Sequence, residues 1–227
     1  MKLSSVELFA GAGGLALGLE AAGFEHAALV EWDVHACRTL RANAATSAGW
    51  RKEQVLETDI AQFDFGSLSS DIDLLAGGVP CQPFSLGGVH RGSDDQRNLF
   101  PAFLEAVRLI GPRAVLIENV PGLVRPDFRP YFDYVCAQLR LPYITRRRSE
   151  HWADHNQRLR RIKRVVDPVE KYVVDWKLLN AADYGVPQRR ERVFIQAIRE
   201  DVAPSCSWPN PSHSASLLLQ ALSDGTY

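Results

Sequence analysis

Cys81 is wedged between Pro80 and Gln82-Pro83 in the stretch Gly77-Gly78-Val79-Pro80-Cys81-Gln82-Pro83-Phe84-Ser85. An arbitrary cysteine is most often a small buried hydrophobe. A sulfur held in a rigid loop is suited to nucleophilic addition once neighbouring basic residues or a helix amino terminus favour the thiolate. Glu118, in Glu118-Asn119-Val120, can accept from or donate to a ring nitrogen while a thiolate adds to that ring; its bland reading is a solvent-facing cap. Gln188-Arg189-Arg190-Glu191-Arg192 offers guanidinium groups that bind a base carbonyl or a phosphate bidentately, where a surface charge run is the default. Three further signals stand earlier in the chain. Glu31 can accept from ribose hydroxyls, Trp32 offers a face to a purine, and Asp59 can accept from an exocyclic amine. Taken singly, the acids read as helix caps and the tryptophan as partial core; together they describe an adenosine site.

These residues need a frame, and the apolar pattern supplies one. Short apolar runs alternate with helical periods, which predicts βα units and a mostly parallel sheet with helices on both faces. Val6, Leu8 and Phe9 read as a first strand that runs into Ala10-Gly11-Ala12-Gly13-Gly14. Leu15, Gly18, Leu19 and Ala22 have helical spacing, with Gly23 closing the helix. Such a turn lets a ligand approach the backbone and aims helix amides at a carboxylate or phosphate, but Ala16 breaks the dinucleotide pattern GxGxxG. Further strands are expected at 27–30, 55–58, 73–76, 114–117, 172–179 and 192–198. Helices are expected at 34–45, through Leu99, Phe103, Val107 and Ile110, and through Phe128, Tyr131, Phe132, Val135 and Leu139. Glu31, Asp59, Cys81 and Glu118 then all follow strand ends, where ligands bind in open α/β sheets.

The 227 residues, 46% of them apolar and 23% charged, exclude fibrous and disordered classes. A chain this long buries about 70% of its surface on folding and needs neither disulfide nor metal to do so. Cys37, Cys81, Cys136 and Cys206 are too scattered for a zinc site, and no metal is expected. His151 and His155, at i and i+4, read as a solvated helix face. A signal peptide and a membrane span are both absent from the pattern, so a reducing, cytoplasmic setting without membrane contact is expected. Formal charge is −1, yet Arg140 to Lys171 holds ten Lys or Arg against four acids, a local +6. That segment has two readings, contact with DNA phosphates or a solvated helical hairpin.

The ordered set Glu-Leu-Phe-Ala-Gly-Ala-Gly-Gly, Glu31-Trp32, Thr58-Asp59-Ile60, Gly-Gly-Val-Pro-Cys-Gln-Pro-Phe-Ser, Glu118-Asn119-Val120 and Asn180 through Gln188-Arg189-Arg190-Glu191-Arg192-Val193-Phe194 resembles the cytosine-5 DNA methyltransferases. The resemblance runs over about residues 4–200. It implies a Rossmann-like α/β fold, S-adenosylmethionine as cofactor and DNA as substrate. Position by position it implies a cofactor site of Phe9, Gly11, Gly13, Glu31, Trp32, Asp59, Ile60 and Pro80. It implies Cys81 as nucleophile, Glu118 at cytosine N3, and Arg190 and Arg192 in the base pocket. The target base must leave the helix stack to reach such a pocket.

The resemblance also implies a division into a catalytic and cofactor-binding domain at 1–203, with a basic insertion at about 144–171, and the start of a target-recognition region at 204–227. Trp208-Pro209-Asn210-Pro211-Ser212-His213-Ser214 is similar to the family's first recognition residues, and little text follows it. Two expectations stand side by side, a split enzyme whose second polypeptide carries the recognition domain and a truncated methyltransferase, each with an apolar surface left uncovered and association as its consequence. Two alternatives stay open: a cofactor-binding subunit without catalysis, and a transfer-RNA cytosine-5 methyltransferase.

Overall fold

The computed structural model describes residues 2–45, 50–68, 71–80, 98–162 and 166–225. Its strands are β1 (Leu3–Leu8), β2 (Phe24–Glu31), β3 (Val55–Glu57), β4 (Leu74–Gly77), β5 (Ala114–Asn119), β6 (Tyr172–Asn180) and β7 (Glu191–Arg199). They form one seven-stranded sheet in the order β3-β2-β1-β4-β5-β7-β6. β7 runs antiparallel to both its neighbours and the other pairs are parallel. The order reverses between β1 and β4, and such a switch point opens a crevice at the carboxyl ends of the strands.

The helices are α1 (Gly14–Ala21), α2 (Val34–Asn43), α3 (Phe100–Ile110), α4 (Arg129–Arg140), α5 (Trp152–Arg160) and α6 (Ala215–Ser223). Alternation along β1 sorts them into two layers. Val6 and Leu8 join Phe100, Phe103, Leu104, Phe132 and Val135 in the main core, which places α3 and α4 on one face. On the other face Ala16 and Leu19 of α1 and Cys37 and Leu40 of α2 cover Leu29, Leu74 and Ala76 in two smaller apolar clusters. Gly77 ends β4 where nothing larger fits: a Cβ there would lie 2.7 Å from the Leu8 carbonyl oxygen and 3.0 Å from the Phe103 ring.

Most expected elements are present with bounds moved by a few residues, and three readings change. Phe9 is not part of β1: its φ of 58° turns the chain out of the sheet one residue earlier than the apolar run suggests. The His151 and His155 pair is not a solvated helix face. His155 is fully buried, its ring bonded at 2.8 Å to the Tyr134 hydroxyl and at 2.8 Å to the Ile144 carbonyl, while His151 caps α5. The third is α6, which lies in 204–227, where the expected helices include none.

The basic segment folds back on α4. Arg158 pairs with Glu150 at 2.8 Å and Arg160 reaches Asp133 at 3.6 Å, whereas Arg146, Arg147 and Arg148 are exposed. Residues 206–213 lie along the edge strand: Trp208 donates to Asp175 at 2.7 Å, and the amides of Ser212 and His213 both donate to the Asp183 carbonyl. None of the described helices is long and apolar enough to cross a membrane. No group of three or more His, Cys, Asp or Glu among the described residues has the geometry to hold a metal ion.

Candidate active site

The carboxyl ends of β1 to β4 enclose a cavity of about 580 Å³, lined by Phe9, Val30, Glu31, Trp32, Thr58, Asp59, Ile60, Gly78, Pro80 and Leu99. Its volume falls within the range of about 300–1,000 Å³ typical of cofactor pockets. Trp32 is 76% exposed, so its indole is a free face and not the partial core of the bland reading. Asp59 has both roles at once: it caps a short 3-10 turn by accepting from Ala61 N–H at 2.9 Å, and it lines the cavity.

Glu31 organises the surrounding backbone. One carboxylate oxygen accepts Gly11 N–H at 2.8 Å, and the other accepts Trp32 N–H at 2.8 Å and Asp33 N–H at 2.9 Å. Asp33, not Glu31, caps α2. Two amides expected to face a ligand are therefore used within the protein, since Gly11 N–H goes to Glu31 and Gly13 N–H to the Ala10 carbonyl. Gly11 and Gly13 shape the turn without lining the cavity. Gly13 has φ 93°, and a Cβ on it would lie 2.8 Å from Leu40. Of the eight positions expected at the cofactor, Phe9, Glu31, Trp32, Asp59, Ile60 and Pro80 are brought together on the cavity wall.

A second cavity of about 430 Å³ opens at the adjoining strand ends, lined by Pro121, Asn180 and Gln188 to Arg192. Glu118 stands between the two. Its Oε1 pairs with Arg192 Nε at 2.7 Å and lies 3.7 Å from Arg190, while Oε2 is 3.6 Å from the point where a Cβ on Gly78 would stand. The charge-assisted pair fixes the carboxylate and leaves its second oxygen beside Gly78, a residue of the larger cavity's wall. Glu118 is thus no solvent-facing cap. Cys81 lies outside the described residues; the chain enters that segment from Pro80, on the wall of the first cavity.

Two supporting residues were not singled out from the sequence. Asn119, 2% exposed, donates to the Val79 carbonyl at 3.0 Å and accepts Val120 N–H at 2.8 Å, tying the end of β5 to the segment after β4. Asn180 accepts Ala182 N–H at 3.2 Å and Arg190 N–H at 3.1 Å, holding the arginine-rich turn against β6. Their signal was position alone: each polar side chain directly ends a strand beside a recognised motif.

A switch-point sheet with one antiparallel strand and a crevice of this kind defines a Rossmann-like methyltransferase fold. Solved structures of the same fold include a DNMT2 of Spodoptera frugiperda, with TM-score 0.57 and 21% identity over 93% of this chain and 53% of that one. The methyltransferase EhMeth of Entamoeba histolytica superposes with TM-score 0.59 and 17% identity over 94% of this chain and 58% of its own. The sequence matches the family described as C-5 cytosine-specific DNA methylase over residues 3–141 and 151–224, and the chain belongs to that family. Among curated relatives, the type II methyltransferase M.NgoMIV of Neisseria gonorrhoeae is 39% identical over 93% of this chain and 57% of its own length. M.NaeI of Lentzea aerocolonigenes is 38% identical over 98% and 46%. M.AquIA of a Picosynechococcus strain is 34% identical over 95% and 79%. The chain spans about half the length of the first two.

Proposed function

We propose that this chain is the catalytic and cofactor-binding portion of a DNA cytosine-5 methyltransferase of restriction-modification type. The carrying observation is Glu118, held 2.7 Å from Arg192 between a cavity suited to an adenosine-bearing cofactor and a second, arginine-lined cavity. The first cavity fits S-adenosylmethionine in its chemistry: an exposed indole for the purine, Glu31 for ribose hydroxyls and Asp59 for the exocyclic amine. Phe9, Ile60 and Pro80 supply apolar wall, and Gly11 and Gly13 hold the turn beside them.

When bound, S-adenosylmethionine supplies the methyl group, on a sulfonium, that carbon 5 of cytosine accepts. The Cys81 thiolate adds to carbon 6, and the electron pair displaced toward N3 is met by a proton held at Glu118, so carbon 5 gains enamine character. Arg192 and Arg190 keep Glu118 aligned and line the space for the flipped base. Loss of the carbon 5 proton to water then expels Cys81 as the thiolate, and return of the N3 proton to Glu118 restores the ring. Residues 1–203 form this unit, with 204–227 the start of the recognition region, in a cytoplasmic protein. Target recognition comes from a second polypeptide or a further segment, a reading supported by Leu218, Leu219 and Leu222 of α6, 44%, 67% and 55% exposed.

The test is transfer of labelled methyl to unmethylated DNA by the wild-type chain and by Cys81→Ser, with recognition sequences supplied. Label in cytosine that depends on Cys81, with equal cofactor binding by both proteins, is expected. Transfer that survives Cys81→Ser, or label confined to RNA, removes the reading.

A further inference from the structure

Glu7 stands in β1 with 1% exposure, and its Oε2 is buried without a hydrogen-bond partner among the described residues. It pairs with Leu29 on β2 and Ala76 on β4, so its side chain leaves the sheet on their side. There it lies between the cluster of Ala16, Leu29, Cys37 and Leu40 and the cluster of Leu19, Leu74 and Ala76. Burial, with Glu31 adding repulsion, pushes its carboxyl up to about 8, so at neutral pH Glu7 keeps its proton.

The position matters because Glu7 lies two residues before Phe9, whose φ is 58°, and four before Gly11. Glu31 clamps this same turn through Gly11 N–H while gripping Trp32 and Asp33 on the other side. Both ends of that clamp lead into the cavity wall at Phe9 and Trp32. The other ionisable groups packed nearby are otherwise engaged. His26 on β2 is closed between Ser5 Oγ and the Ala16 carbonyl, and burial holds it toward its neutral form. Glu20 on α1 acts on His26, Cys37 on α2 bonds the Glu31 carbonyl, and β4 contributes no ionisable side chain.

We propose that Glu7 is a positioning residue of the cofactor pocket: neutral, it leaves the Glu31 clamp undisturbed, and ionised, it opposes Glu31, which leaves the same face of the sheet two residues beyond its partner Leu29, and weakens cofactor binding. This rests on the reading of the larger cavity as the S-adenosylmethionine site.

The experiment is calorimetric titration of the full chain with S-adenosylmethionine from pH 6.5 to 9.5, for wild type, Glu7→Gln and Glu7→Leu. The ligand's own amino group titrates near 7.7–8.0, but it does so equally for each protein, so the wild-type to variant ratio of Kd is read. That ratio is expected to stay nearly constant below pH 7.5 and to rise above pH 8, by at most tenfold per pH unit. A ratio that stays flat to pH 9.5 for either folded variant, while wild type binds at pH 7, overturns the role of Glu7. No binding by wild type at pH 7 removes the cofactor reading, and this inference with it.

Discussion

Glu118 holds Arg192 through Nε at 2.7 Å, a contact that depends on the planar guanidinium. Arg192→Lys retains the charge and loses the fixed fork. On the proposed chemistry, methyl transfer falls by about 10–100-fold, equivalent to about 1.4–2.8 kcal/mol in the barrier. Cofactor affinity is unchanged, because Arg192 does not line the larger cavity. Single-turnover kinetics beside a binding titration check both halves. At Glu7 the linkage has a definite sign. The folded-state value of about 8 exceeds the ordinary 4.5, so the stability contribution is full below pH 4.5 and is lost as pH rises to 8. Glu7→Gln is therefore expected to raise stability by about 3 kcal/mol at pH 7, with the gain shrinking toward pH 5. Denaturant melts at the two pH values measure it. Glu118 and the arginine run were legible as candidates from residue type and neighbours, and the structure pairs them. The orphan oxygen of Glu7 was not, because a glutamate in an apolar run looks the same whether its carboxyl finds a partner or not.

Among the elements, α5 is pinned by a histidine rather than by an apolar stripe. His155 donates through Nε2 to the Ile144 carbonyl and accepts the Tyr134 hydroxyl at Nδ1, an arrangement only the neutral ring satisfies. Burial depresses its proton affinity, and His26 is depressed for the same cause. A depressed folded-state value means stability that is present above the ordinary 6.5 and lost as pH falls below it. Protection factors of the α5 amides, which are corrected for the slower intrinsic exchange at low pH, are expected to fall between pH 6.5 and 5, and His155→Leu to cost about 1–3 kcal/mol by leaving the Tyr134 hydroxyl and the Ile144 carbonyl unpaired. Unchanged α5 protection at pH 5 would remove this account. The spacing of His151 and His155 was visible in the sequence, but which of them turned inward was set by α4, twenty residues earlier. Helix α6 was missed for a related reason: its apolar run is short, and Leu218, Leu219 and Leu222 stay exposed.

For the whole molecule, the exposed leucines of α6 belong to a larger set of exposed apolar side chains among the described residues, which includes Leu17, Leu109 and Leu178. Leu218, Leu219 and Leu222 fall on neighbouring helical positions, and a contiguous apolar patch of this kind favours association. Light scattering is expected to show concentration-dependent assembly of the chain alone, and Leu219→Glu with Leu222→Glu to shift it toward monomer without loss of cofactor binding. A wild-type monomer across the accessible concentration range would count against a partner for α6.

Strand periodicity, the order of motifs and the residue types at strand ends were determined by the sequence, because each depends on neighbours within about ten residues. They sufficed for the fold class and for Glu31, Trp32 and Asp59 at the larger cavity, whereas Phe9, Ile60 and Pro80 came from the family resemblance. The tertiary structure decided the rest: Glu118 between two cavities, Glu31 as a clamp across β1 and β2, Glu7 without a partner, and His155 turned inward. Each of these depends on a contact between segments twenty or more residues apart, which burial and hydrogen-bond satisfaction select and local pattern does not encode.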